Sequence, residues 1–115
     1  MKLSELKNMQ VAPEMPLGTH EVTFKRIQYR LDADMEITGV FVHVAEYRSL
    51  FIPFFSNGDN FQLDLLLRQL GCTSYDPEEI NKFEGTVIKA TRYPRGEYIN
   101  TSFNPRGENT EETFA

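Results

Sequence analysis

Residues Gly18–Leu31 read GTHEVTFKRIQYRL. Val22 and Phe24 sit two apart, on one face of an extended strand, and Ile27, Tyr29 and Leu31 keep the same spacing on the opposite parity. An apolar face that changes parity inside one strand is the mark of a β-bulge, because one extra residue turns over every side chain that follows. Bulges bend long strands enough to close a barrel, and a flat sheet has no need of the switch.

Working outward, the polar stretch Asp32-Ala33-Asp34 predicts a turn, and ITGVFVHV (37–44) predicts a second strand. Val40, Val42 and Val44 then share a core face, with Phe41 and His43 on the other. A third strand is expected in RSLFIPFF (48–55), with Leu50, Ile52 and Phe54 inward and Phe51 and Phe55 outward. Pro53 lacks an N–H, so an edge or a bulge is expected there. FQLDLLLRQL (61–70) places Leu63, Leu66, Leu67 and Leu70 at helical spacing in one stripe. Asp59 with Gln62 is expected to cap this helix, Asp64 and Arg68 to pair along it, and Gly71 to end it. Asp76-Pro77-Glu78-Glu79 predicts a second, short helix. The last two strands, GTVIKATRY (85–93) and YINTSF (98–103), flank Pro94-Arg95-Gly96-Glu97. Pairing Pro94 with Glu97 would set Tyr93 opposite Tyr98. Lys89, Thr91, Tyr93, Tyr98, Asn100 and Ser102 would share one face, and Ile88, Ala90, Ile99, Thr101 and Phe103 a core face.

The expected class is all-β with one or two helices, in the order strand, strand, strand, helix, strand, strand. That is the order of the five-stranded OB-fold barrel, with the helix as its plug. A β-grasp-like α+β sheet and another small, partly open barrel are the rivals. The expected organisation is an N-terminal arm or short helix (1–16), the barrel domain (17–107) and an acidic, flexible tail (108–115).

The layout of PLGTHEVTFKRIQYR, of the pair GVFVHV and RSLFIPFF, of FQLDLLLRQLG and of FEGTVIKATRYPRGEYINTSFN resembles the small single-stranded DNA-binding proteins of bacteriophages and of mobile elements in Gram-positive bacteria. The resemblance spans residues 16–107. It implies an OB fold that coats single strands during replication or recombination.

Composition narrows the remaining classes. In 115 residues there is one cysteine, Cys72, so an internal disulfide or a cysteine-rich zinc site is excluded and a reducing, cytoplasmic setting is the expectation. No apolar run is long enough to span a bilayer. Phosphate-loop, dinucleotide, zinc-protease and serine-hydrolase motifs are all missing, so no enzyme and no cofactor is expected. Asp32, Asp34 and Glu36 read as a solvated turn rather than a metal site.

The net charge of −5 runs against a nucleic-acid binder, but residues 81–107 alone carry +3 and the tail ENTEETFA carries −3. Single-strand binders need cations for phosphates and aromatic faces for bases. The hairpin supplies Lys89, Arg92, Tyr93, Arg95 and Tyr98. Lys25, Arg26, Tyr29 and Arg30, and Arg48 with Phe51, would extend the same path, and His43 with Phe51 would form a second stacking patch. The alternative is a protein-interaction accessory module on the same fold. RNA would be held by the same physics, and a homo-oligomer is compatible with the sequence. In the tail, Glu111, Glu112 and Phe114 resemble the acidic tips with which bacterial single-strand binders recruit replication and recombination proteins, except that Ala115 follows the aromatic residue.

Overall fold

The computed structural model describes residues 2–6 and 11–107. A short helix α1 (Leu3–Leu6) precedes strands β1 (Gly18–Leu31), β2 (Ile37–Val44) and β3 (Leu50–Pro53). Helices α2 (Phe61–Leu70) and α3 (Pro77–Ile80) and a 3₁₀ turn (Asn81–Phe83) follow. Strands β4 (Val87–Arg95) and β5 (Tyr98–Ser102) end the fold. The strands form one antiparallel, open sheet in the order β3-β2-β1-β4-β5.

β1 holds this sheet together by pairing with two different strands along its length. Gly18 to Thr23 pair with β4, and Phe24 to Leu31 pair with β2. The register slips between Phe24 and Arg26, so Lys25 is the bulged residue and the parity switch falls where the sequence places it. Val22, Phe24 and Ile27 are all buried, together with Val40, Val42, Val44, Leu50, Ile52, Ile88 and Ala90 from the other strands. The Ile27 N–H, left open where β1 parts from β4, donates to Asn81 Oδ1 at 2.9 Å.

α2 lays its leucine stripe on this core. Its cap differs from the expected Asp59 box. Asn60 is the N-cap residue, and its amide is spent on Phe55, accepting from the backbone N–H at 2.9 Å and donating to the carbonyl at 3.1 Å. Gln62 accepts the Phe103 N–H at 2.7 Å instead of closing a box. Asp64 takes the Tyr75 hydroxyl, and no ion pair to Arg68 forms among the described residues. Gln69 ties α2 to β4: its amide accepts the Lys89 N–H at 2.7 Å and donates to the carbonyls of Lys89 and Phe103. Gly71, at φ +82°, ends the helix as expected. At α3, Asp76 caps the helix by accepting the Glu78 N–H.

The closing hairpin departs from the expected register. Tyr93 lies opposite Asn100 and Arg95 opposite Tyr98, leaving Gly96-Glu97 as a two-residue loop. Turn chemistry decides this. Gly96 has φ +63° and no positive φ occurs at Glu97, the pattern of a type II′ turn with glycine in first place, whereas the expected register would have put Arg95 there. Because the slip is by two residues, side chains keep their faces. The faces are covered differently, however. Thr91 and Ser102 are buried, with the Thr91 and Thr19 hydroxyls 2.8 Å apart, while Ile99 is 52% exposed at the gap between β5 and β3. β3 is also shorter than expected, stopping at Pro53, which has no N–H to continue the ladder.

At the β1–β2 turn, Asp32 Oδ1 accepts the N–H groups of Asp34 and Glu36, and the Met35 N–H closes onto the Asp32 carbonyl at 3.1 Å. Met35 follows in the left-handed region, at φ +63°, the place glycine favours in a three-residue hairpin loop. Its side chain is exposed, so little packing is lost on removing it. Met35→Gly is expected to raise stability by about 1 kcal/mol, seen as a gain of roughly 4 °C in Tm by circular dichroism. An unchanged or lower Tm would mean that the turn carries no strain.

Candidate nucleic-acid interface

The parity that sends Val40 and Val42 inward sends their neighbours out, and the outer face of β1, β2 and β3 gathers an aromatic and basic stripe. Cross-strand pairing sets Arg26 beside His43, Gln28 beside Phe41, Arg30 beside Gly39, and Phe41 beside Phe51. The Phe41 and Phe51 ring centroids are 5.2 Å apart, and the Arg30 guanidinium lies 4.7 Å over the Phe51 ring. Gly39 makes this stack possible. A Cβ there would meet the Phe51 ring at 2.3 Å, so only glycine lets the ring lie across β2.

His43 continues the stripe. Its Nδ1 lies 2.6 Å from Ser49 Oγ and its Nε2 3.2 Å from Gln28 Oε1. The neutral ring suits both contacts, donating from Nε2 to the Gln28 carbonyl and accepting the Ser49 hydroxyl at Nδ1. Partial burial, and then the charges of Arg26 and Lys25, push its pKa below the ordinary histidine value. The ring is therefore a fixed, uncharged aromatic at neutral pH, flanked by two cations.

The other residues read as binding candidates fall into different places. Lys25 is the exposed bulge residue beside Arg26 and joins the stripe. Tyr29 has the opposite parity. It is half-buried against the core, donates its hydroxyl to the Tyr75 carbonyl at 2.6 Å and meets Phe54 edge-on at 5.9 Å. Burial, followed by Tyr75 and Asp76, pushes its pKa up to about 12. It is a structural tyrosine. Arg48 and Arg92 grip the N-terminal arm through its backbone: Arg48 Nε donates to the Ala12 carbonyl at 2.8 Å and Arg92 Nη1 to the Met15 carbonyl at 2.8 Å, with Glu14 between the two guanidinium groups. Met15, 1% exposed, is thereby part of the core. Lys89 is exposed on β4 opposite Glu21, on the wing of the sheet away from β2 and β3. Tyr98 is exposed at the hairpin tip beside Arg95. Glu111, Glu112 and Phe114 lie outside the described residues.

Tyr93 and Arg95 line a second feature, a cleft of about 430 Å³ between β3 and β5, where the sheet carries no ladder. Phe51 forms one wall, so the cleft is continuous with the outer stripe, and the start of α2 forms its floor. The arm residues Glu14 and Met15 cover the other end of the same gap. Sequence reasoning named His43 and Phe51 but passed over Phe41, Gln28, Ser49 and Gly39. The alternation in GVFVHV already placed Phe41 beside His43, whereas nothing local announces that a glycine will seat a ring from the next strand.

No protein-family model matches the chain, and no curated protein matches it. No helix among the described residues is long and apolar enough to cross a membrane, and among those residues no group of His, Cys, Asp and Glu could hold a metal ion.

Proposed function

We propose that this protein binds single-stranded DNA, without catalysis, as a small OB-fold barrel that coats strands in phage or mobile-element replication or recombination. The OB reading is supported by β1 serving two antiparallel halves, β2–β3 on one side and β4–β5 on the other, and by the helix between the third and fourth strands. The observation that carries the function is the outward stack of Arg30, Phe51 and Phe41. Half-exposed rings on the outer face accept bases, and the cations beside them accept phosphates, which is what a flexible single strand presents and a duplex hides. Stacking of this kind is tolerant of sequence, since every base has a π-face.

Labelled oligo-dT, followed by anisotropy, is expected to bind far more tightly than a matched duplex. With Lys25, Arg26 and Arg30 as phosphate contacts, log affinity is expected to fall with log salt at a slope of about −2. No binding at low ionic strength would end this reading and favour the interaction module.

A further inference from the structure

We propose that the cleft between β3 and β5 takes one base out of the bound strand and selects guanine, which makes an otherwise sequence-tolerant protein discriminating at a single nucleotide. This rests on the single-strand reading above. The cleft's volume, about 430 Å³, lies within the range of small-ligand pockets, roughly 300–1,000 Å³, and is ample for one nucleobase. Its position matters as much as its size. Phe51 is at once the edge of the stacking stripe and a wall of the cleft, so a strand lying on the stripe meets the opening at its next step.

The mouth is preorganised. Phe55 is 54% exposed, and the Asn60 amide holds it there by clamping both its N–H and its carbonyl. An apolar ring kept in water beside a cleft is unfavourable alone and useful against a base entering that cleft. The polar groups are what choose the base. Asp59, in the lining, offers two carboxylate acceptors. A carboxylate matches two adjacent donors. Guanine alone has them on its Watson–Crick edge, N1–H and the N2 amino group. Adenine and cytosine put a ring acceptor beside their one amino group, and thymine flanks its one N–H with carbonyls, so each sets a lone pair against the carboxylate.

The test uses the full chain and oligo-dT carrying one central dG, dA or dC. A single dG is expected to tighten binding about tenfold over dT alone, with dA and dC near dT, since a good bidentate contact discriminates on that scale. Asp59→Asn, which keeps the shape but replaces an acceptor with a donor, is expected to abolish the dG preference and leave oligo-dT binding and Tm unchanged. Equal affinity for all four oligonucleotides, or a dG preference that survives in Asp59→Asn, would overturn the proposal while leaving single-strand binding standing. Failure of every oligonucleotide to bind would take both readings down together.

Discussion

Phe51→Ala is expected to weaken oligo-dT binding by about thirtyfold, on the order of 2 kcal/mol, with little change in Tm. The ring does three things at once. It offers a π-face of its own, it meets Phe41 at 5.2 Å, and it carries the Arg30 guanidinium at 4.7 Å. Stacking one base on an aromatic is worth about 1–3 kcal/mol, and the cation over the ring adds about 0.5–1 kcal/mol of order that fixes where the phosphate-binding charge stands. Stability should hold because Phe51 lies on the outer face, half-buried, while its neighbours Leu50 and Ile52 carry the core contacts. Phe41→Ala should act in the same direction, and the double variant should lose less than the sum, since adjacent rings share one binding surface. Gly39→Ala supplies an independent check. It adds a methyl group where the Phe51 ring now lies, so it should impair binding without removing any aromatic or charged side chain. Wild-type affinity in Phe51→Ala would show that the strand, if bound, lies elsewhere.

What the sequence made legible, and what it did not, follows from the range of the interactions. β1, β2 and α2 have the limits that periodicity gives them, because each buries one continuous apolar face and that face is written locally. The bulge at Lys25 was legible for the same reason, as a change of parity. The hairpin register was not. A slip of two residues leaves every side chain on its face, so patterning cannot separate the two registers, and the choice fell to a single glycine at φ +63°. The site was legible as a set of residue types more than as a place. Arg48 and Arg92 look from sequence like free cations, yet both are spent on carbonyls of the arm, which lie far from them in the chain. Tyr29 looks like a stacking residue, but it stands on the core parity and is tied to Tyr75. The stripe that did assemble, from three strands, owes its shape to a cross-strand contact between Gly39 and Phe51 that no window of sequence contains.

Deleting Lys25 is expected to cost on the order of 3 kcal/mol of stability, whereas Lys25→Ala should change it by no more than about 0.5 kcal/mol. The exposed Lys25 side chain packs against nothing that defines the core, so its identity matters little to stability. Its presence in the count of residues matters a great deal. Without it, Phe24, Arg26 and Ile27 become consecutive and alternate regularly, so Phe24 and Ile27 stay inward, Arg26 stays outward, and what is lost is the bulge itself. The bulge supplies the local bend and added twist at the point where β1 leaves β4 for β2. A regular strand does not turn there, so it holds one ladder in register only by straining or giving up part of the other, at a cost of up to several kcal/mol out of the roughly 5–15 kcal/mol that holds a domain together. Shortening β1 by one residue also strains the bond from the Ile27 N–H to Asn81 Oδ1, which lies in the 3₁₀ turn outside the sheet. Phe24 on one side of the bulge and Ile27 on the other are both buried, at 0% and 3% exposure, so the core feels a change of bend from both sides. Urea unfolding followed by circular dichroism distinguishes the cases. The deletion should unfold at a clearly lower midpoint, Lys25→Ala should track the wild type, and a deletion variant that melts near the wild-type midpoint would mean that β1 does not turn from one half of the sheet to the other through this residue.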